Sequence, residues 1–259
     1  MQKIKDYKVY VERMEKSIQD KLFFVDKVIN DVKGVVDYGC ADGTLLACLH
    51  EMNPELELTG CDIDKDMIEL AKAKVENAEF TTEADSVGFL TETEHCLLNL
   101  SSVIHEVYSY CNHKQIKKFW EFVFNSRFKY IAIRDMCVNM HDYKLANTED
   151  VRKVLNKANE KQLMEFEKTW GMVGRLKNLI HFLLKYKYVE NWDREVKEDY
   201  LPLSFNELMS KIPTDMYDIV YLDHFTLPYI AEQVKKDFDI DLRDATHVKI
   251  LLRRKGGTK

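Results

Sequence analysis

The run Val35-Val36-Asp37-Tyr38-Gly39-Cys40-Ala41-Asp42-Gly43-Thr44-Leu45 concentrates the chemistry of this chain. An apolar strand delivers the backbone to a turn of small residues, and a helix pattern starts directly after it. Gly39 and Gly43 reach positive φ without a steric penalty and let a ligand lie against bare backbone. Ala41 keeps most of that room, and Cys40 reads as a small lining side chain rather than a nucleophile. The helix start offers free N–H groups and the positive end of its dipole. In open α/β sheets such a turn, at the carboxyl end of a central strand, is where ligands bind. The charge of the ligand follows from Asp37. A dinucleotide fingerprint needs Gly-x-Gly-x-x-Gly, and this register reads Gly39, Ala41, Thr44. A carboxylate two residues before Gly39 is a poor neighbour for a diphosphate and a good one for a cationic ammonium.

Three further positions carry chemistry. Asp62 lies 23 residues after Gly39 and ends the next apolar strand, where a carboxylate can accept from both hydroxyls of a ribose. His105-Glu106 follows the fourth strand, and His105 is the best candidate for a general base acting on a hydroxyl or amine. Glu106 and Arg134, the latter at the end of the fifth strand, are candidate substrate contacts. His105, Glu106, Cys111 and His113 are ligand-type residues, but their spacing fits no standard zinc arrangement, so no metal is expected.

The elements that must hold these residues alternate. Strand patterns at 34–38, 56–61, 79–82, 95–101 and 129–136 are separated by helical patterns at 44–52, 64–75 and 114–125. Units of this size specify a parallel sheet covered by helices on both faces. Residues 1–33 read as helical, with Val9, Met14, Ile18, Leu22, Val25 and Ile29 recurring between charges. Residues 138–212 break the rhythm with helical patterns at 148–168, 171–186 and 204–211. Apolar runs at 217–225 and 247–253 close the chain as strands, with an antiparallel end expected. The expected architecture is an α/β three-layer sandwich around a mostly parallel, doubly wound sheet. It forms one domain over 1–259, with an N-terminal helical segment (1–33), a core (34–137), a helical cap (138–212) and C-terminal strands (213–259).

With Asp37 two residues before it, Gly39-Cys40-Ala41-Asp42-Gly43 resembles motif I of the class I S-adenosylmethionine-dependent methyltransferases. The resemblance covers about residues 30–136 and implies a Rossmann-like fold with S-adenosyl-L-methionine as cofactor. It implies that the 39–43 loop wraps the methionine part and that Asp37 holds its amino group. Asp62 would take the ribose, and Ile63 would pack on the adenine. Asp85 would accept from the adenine amino group, with Met67 and Ser86 in the same neighbourhood. Ser101 lies in the segment that passes under the cofactor in this family, and His105 stands where many members carry a histidine. An enzyme of this kind needs little more than in-line placement of a nucleophile and a modest base.

Composition sets limits on the acceptor. The chain has 259 residues, 38 Lys and Arg against 44 Asp and Glu, and a net charge of −6, which does not suit a dedicated nucleic-acid coat. Hydrophobic residues at 46% and charged ones at 32% are those of a folded globular protein. No apolar run reaches the length of a membrane span, and the charged first twenty residues carry no signal-peptide core. Six scattered cysteines without a Cys-x-x-Cys pair read as reduced thiols, and a cytoplasmic location is expected. After the fourth strand, Asn99-Leu100-Ser101-Ser102 lacks the prolines of the enzymes that methylate exocyclic base nitrogens. A Lys-Asp-Lys-Glu tetrad and the metal signatures of catechol and small-RNA 3′-end enzymes are also missing. The insertion carries nine Lys or Arg against five Asp or Glu between Asn147 and Tyr188, with Arg175 and Tyr186 as candidate substrate contacts. Trp170, Trp192, Tyr200 and Phe205 are candidate pocket aromatics. The expected acceptor is an enclosed small molecule. RNA or another nucleic acid on the basic insertion is the alternative, and a non-catalytic cofactor-binding module is a third reading.

Overall fold

The computed structural model describes residues 17–87, 91–139 and 144–256. A single seven-stranded sheet runs in the order β3-β2-β1-β4-β5-β7-β6. Its strands are β1 (Gly34–Tyr38), β2 (Glu57–Cys61), β3 (Ala78–Thr81), β4 (Cys96–Ser101), β5 (Tyr130–Met136), β6 (Tyr217–Phe225) and β7 (His247–Arg254). The first five are parallel, and β7 runs antiparallel to both β5 and β6. The chain order reverses at β1, whose neighbours are β2 and β4, so the carboxyl ends of β1 and β4 flank the switch-point crevice.

Period-two side-chain alternation divides the core between the two faces of the sheet. Val35 and Leu97 pack on one face with Phe24, Leu45, Leu46, Leu49 and Ile68. Val36 and Leu98 pack on the other with Phe119, Trp120, Val123 and Phe128. The helices covering these faces are α1 (Ile18–Lys21), α2 (Val25–Val28), α3 (Thr44–Met52), α4 (Lys65–Lys74), α5 (Ile104–Tyr110) and α6 (His113–Asn125). Two of them start on side-chain caps. Asp64 accepts from the N–H groups of Asp66 and Met67, and Asn112 with Gln115 forms a capping box on α6.

The helical insertion holds α7 (Thr148–Lys157), α8 (Glu160–Trp170), α9 (Leu176–Lys185), α10 (Trp192–Glu195) and α11 (Phe205–Lys211). The single helix expected over 148–168 is two, because Ala158 turns extended and Asn159 caps a new start by accepting from Gln162 N–H. The helix expected from 171 begins at Leu176, after Gly171 takes φ 91°. Besides the four-residue α10, two helices went unread. One is α5, which follows β4 after two residues. The other is α12 (Pro228–Phe238), whose Pro at the first position and apolar Ile230, Val234 and Phe238 were a usable signal. Val234 and Phe238 of α12 join Val154, Leu163, Phe166, Leu179 and Phe182 in a third core, so α12 packs with the helical insertion. Leu208 of α11 instead packs under the sheet. The N-terminal helical pattern is realised over 18–31 as two short helices and a 3-10 turn. Val9 and Met14 lie outside the described residues.

Candidate active site

The 39–43 turn is fixed by its own backbone and by one acid. Gly39, Ala41 and Gly43 take φ values of 78°, 46° and 75°. Two successive donors, the N–H groups of Gly39 and Cys40, reach the carbonyl of Cys61 at 2.7 and 3.1 Å and tie the turn to β2. Asp62 then secures it from the side. Its Oδ2 accepts from Ala41 N–H at 2.9 Å and its Oδ1 from Asp64 N–H at 2.9 Å. Asp42 accepts from the N–H and hydroxyl of Thr44 at the start of α3 and pairs with Lys74. Burial raises the Asp62 carboxyl above the usual range, and these backbone donors oppose it.

Asp37 and Asn99 face each other across β1 and β4, and Asn99 Nδ2 donates to Asp37 Oδ1 at 2.8 Å. Burial pushes the Asp37 carboxyl up to about 6. Next to this pair, Asn99 Oδ1 and Ser101 Oγ are buried without a hydrogen-bond partner. Asp37, Gly39, Cys40 and Ser101 line a narrow crevice of about 10 Å³, closed by Ile18 and Lys21 of α1. That volume suits about one water, so a larger head group requires the α1 side chains to shift. Cys40 is buried, and burial pushes its thiol far above the usual range, which removes it as a nucleophile.

A second, larger cavity of about 190 Å³ adjoins the crevice, and Lys21 lines both. His105 enters it from the first turn of α5. Its Nδ1 pairs with Asp135 Oδ1 at 2.8 Å, and its ring meets the Tyr200 ring edge-on at 5.4 Å between centroids. Asp135 is itself held, since its Oδ2 accepts from Ile104 N–H at 2.7 Å and its Oδ1 from Met136 N–H at 2.7 Å. Burial alone would lower the His105 imidazole, but the Asp135 carboxylate overrides it and raises the imidazole to about 9. The same pairing, working against burial, keeps Asp135 below the usual carboxylate range. Burial raises Glu106 to about 7. Beside His105, Arg194 joins Glu106 (3.1 Å) to Glu198 (2.8 Å). The segment carrying Arg194 and Glu198 is pinned from behind. Lys185, fully buried, donates to the carbonyls of Glu195 and Glu198 at 2.7 and 2.6 Å.

The structure gathers part of the expected set and leaves part aside. Asp37, Gly39, Cys40 and Ser101 meet at the crevice, while His105, Glu106 and Arg134 line the cavity. Arg134 is already engaged, with Asp20 at 2.8 Å and with Ser102 Oγ at 2.9 Å. Ile63 follows Asp62 and is 68% exposed, an apolar surface at the carboxyl edge of the sheet. Asp85 and Ser86 lie in a 3-10 turn after β3, at the same edge, and Asp85 is exposed. Met67 is buried within the packing of α4. Arg175 is exposed at the start of α9 and does not line the cavity. Tyr186 turns into the cap core, where its hydroxyl donates to Asp237 at 2.6 Å. Of the aromatic candidates, Tyr200 lines the cavity. Trp170 and Trp192 donate to Val196 O and Glu165, and Phe205 stacks on His224. Sequence reading placed Asp135 with Arg134 on the ligand side at the end of β5 but did not foresee its pairing with His105. It missed Arg194 and Glu198, which carry no local signal.

The crevice fits the cofactor that the motif implies. The carboxylate of Asp37 and the two orphaned oxygens of Asn99 and Ser101 form an acceptor set for a cationic amino group, in a turn with no diphosphate-type glycine pattern. Solved structures share the fold. The plantazolicin methyltransferase BamL, in complex with a triazolic desmethylPZN analog and SAH, superposes with a TM-score of 0.54 at 13% identity, over 96% of this chain and 89% of that one. The methyltransferase domain of bacterial CtHen1 gives 0.53 at 11%, over 94% and 99%. A SAM-dependent methyltransferase from Anabaena variabilis gives 0.54 at 11%, over 93% and 85%. Among curated proteins, none matches the sequence. No helix among the described residues is long and apolar enough to cross a membrane. A family profile described as a methyltransferase domain matches residues 29–168, more than half of the chain. On that match and this fold the chain belongs to the class I, Rossmann-like, S-adenosylmethionine-dependent methyltransferases, with S-adenosyl-L-methionine as its cofactor.

Proposed function

We propose that the enzyme methylates a small molecule enclosed in the cavity beside His105, with His105 receiving the proton that the acceptor loses. One observation carries this reading. The cavity that meets the crevice at Lys21 presents a buried histidine, locked through Nδ1 by Asp135, whose Nε2 has no hydrogen-bond partner among the described residues. A base oriented by a carboxylate at the wall of a cavity suits proton transfer from a positioned acceptor. In this reading Asp37, Asn99 and Ser101 receive the amino group of the cofactor, and Gly39 to Gly43 provide the bare backbone beside it. Asp62, already shaping the loop, offers its remaining lone pairs to the ribose, and Ile63, Asp85 and Ser86 border the base. Once bound, the cofactor supplies a methyl group on a sulfonium, already strongly electrophilic. The protein's task is then placement, exclusion of water and removal of one proton. At neutral pH the Asp135 pairing keeps His105 largely protonated, so transfer to an acceptor that must be deprotonated is expected to accelerate as pH rises toward about 9.

Part of the positive charge of the basic insertion is engaged within the protein. Lys185 is internal, and Lys153 and Lys187 pair with Asp239 and Asp237. The test is to incubate the purified protein and methyl-tritiated cofactor with cell extract separated into small metabolites, RNA and protein. Label entering the small metabolites, and lost in His105→Ala while S-adenosylhomocysteine still binds, supports the proposal. Label entering RNA identifies a nucleic-acid enzyme instead. Cofactor binding without label in any fraction identifies a binding module.

A further inference from the structure

Taking the cavity as the acceptor chamber, as proposed above, we infer that the acceptor is a small amine bound as its ammonium ion between Glu106, Glu198 and the tyrosine faces of the cavity. A ring nitrogen of His105 and one carboxylate oxygen each of Glu106 and Glu198 lie within 4.8 Å of one another. Every hydrogen bond made to these two carboxylates among the described residues ends on Oε1. Arg194 Nη2 and Nε and the Tyr110 hydroxyl are the donors, at 2.6–3.1 Å. Both Oε2 atoms are therefore left without a protein donor among the described residues. Glu106 and Glu198 both line the cavity, so these oxygens stay open to a donor bound there, and a charged donor makes the stronger bond.

The charges point the same way. Asp135, Glu106 and Glu198 surround His105, and Arg194 is the cation that bridges two of them. Lys21 also reaches Asp135 and Glu106 electrostatically, but it is shared with Asp37, and burial and Arg134 lower it to about 8. The other cations on the wall are neutralised elsewhere. Arg134 pairs with Asp20, which also takes Lys249, and Lys187 pairs with Asp237. In the reactive form, with His105 neutral, an anionic acceptor would meet three carboxylates, whereas an ammonium ion supplies the positive charge that the imidazole then does not carry. Tyr188, Tyr200 and Tyr229 line the same space, and aromatic rings of this kind attract cations. One of these rings already serves a cation, since Lys185 Nζ lies 4.4 Å from the Tyr200 centroid. The chamber, at about 190 Å³, is smaller than the roughly 300 Å³ at which pockets for drug-sized ligands begin, which favours a compact amine.

The chemistry balances. The ammonium ion gives one proton to neutral His105 Nε2, and the freed nitrogen lone pair forms the N–C bond to the methyl carbon. The C–S bonding pair leaves with sulfur, so a methylated ammonium ion and a neutral thioether result. The raised His105 imidazole is close in basicity to an aliphatic amine, which makes that proton transfer nearly balanced.

The experiment uses the whole protein, methyl-tritiated S-adenosylmethionine and a small-metabolite extract split on a cation-exchange resin at pH 7. Labelled product is expected from the retained, cationic fraction. Glu106→Gln and Glu198→Gln are each expected to lower that labelling at least about tenfold, through loss of a charged hydrogen-bond acceptor, with affinity for S-adenosylhomocysteine unchanged. That affinity separates a lost acceptor contact from a misfolded variant. Glu106, the more exposed of the pair, is the milder substitution should Glu198→Gln fail to fold. Labelling confined to the unretained fraction, or undiminished in Glu106→Gln, overturns the amine assignment and leaves the small-acceptor reading standing. No label in either small-molecule fraction overturns that reading itself.

Discussion

The crevice at the 39–43 turn and the cavity around His105 meet at Lys21, yet they are made of different materials. The crevice is mostly backbone. Its shape comes from three positive-φ residues, two N–H groups on the Cys61 carbonyl and one carboxylate on Ala41 N–H. Nearly all of it lies in two short stretches of chain, 37–45 and 60–64. The cavity is made of side chains brought from α1, α5, β5, the α10 region and α12, and its polar members are paired across long separations. Arg194 meets Glu106 over 88 residues, and Arg134 meets Asp20 over 114. A backbone cradle tolerates side-chain change so long as the turn survives. A side-chain chamber can change its acceptor by a few substitutions while the cradle stays the same. That division suits an enzyme family with one cofactor and many acceptors.

Four substitutions test this division, the largest effect first. His105→Ala should lower methyl transfer by about 100- to 10,000-fold, the range of a lost general base, and leave S-adenosylhomocysteine affinity untouched. Initial rates and calorimetric titration of the same preparation decide it, and a parallel loss of affinity would merge the two halves. Asp62→Ala should do the reverse. It removes two backbone-to-carboxylate bonds, each worth about 1.5–3 kcal/mol, and cofactor affinity should fall about 100-fold as the turn at Ala41 relaxes. Unchanged affinity would mean that the turn holds its shape without the acid.

The third concerns pH. The His105 imidazole is raised from 6.5 to about 9 by Asp135. A raised folded-state value contributes stability that is complete below 6.5 and disappears as pH climbs through 9. The stability advantage of the wild type over Asp135→Asn should therefore shrink between pH 6.5 and about 9, as read from urea unfolding at several pH values. A constant difference would show that the pair is not ionised as described. The smallest effect is expected at Tyr186→Phe, which removes one hydroxyl bond to Asp237 in the cap core. About 1 kcal/mol of stability should be lost, with cofactor affinity and transfer rate within about twofold of the wild type. A larger catalytic loss would extend the acceptor chamber into the cap.

The same contrast explains what could be read from the chain alone. The strand alternation, the antiparallel end and the Gly39–Gly43 turn are local patterns, and local patterns survive folding because period-two burial and glycine conformations are decided within a few residues. Asp37, Asp62 and His105 were singled out because each stands at or just after a strand end, and strand ends share one edge in a parallel sheet. Arg194 and Glu198 belong to no motif. They sit beside His105 on a segment whose Glu195 and Glu198 carbonyls accept from Lys185, a contact between residues that carry no local signal. Arg175 and Tyr186 were chosen from composition, and composition does not tell which face of a helix turns inward. The break at Ala158-Asn159 shows the same limit at smaller scale: the apolar rhythm continues across it, while an asparagine cap starts a new helix.

The most direct test of this account is a crystal structure with S-adenosylhomocysteine bound. The account predicts the amino group of the ligand against Asp37, Asn99 Oδ1 and Ser101 Oγ, the main chain of 39–43 along its methionine arm, and its sulfur facing the His105 chamber. An amino-acid end lying away from the 39–43 turn, or a sulfur turned from that chamber, would contradict it.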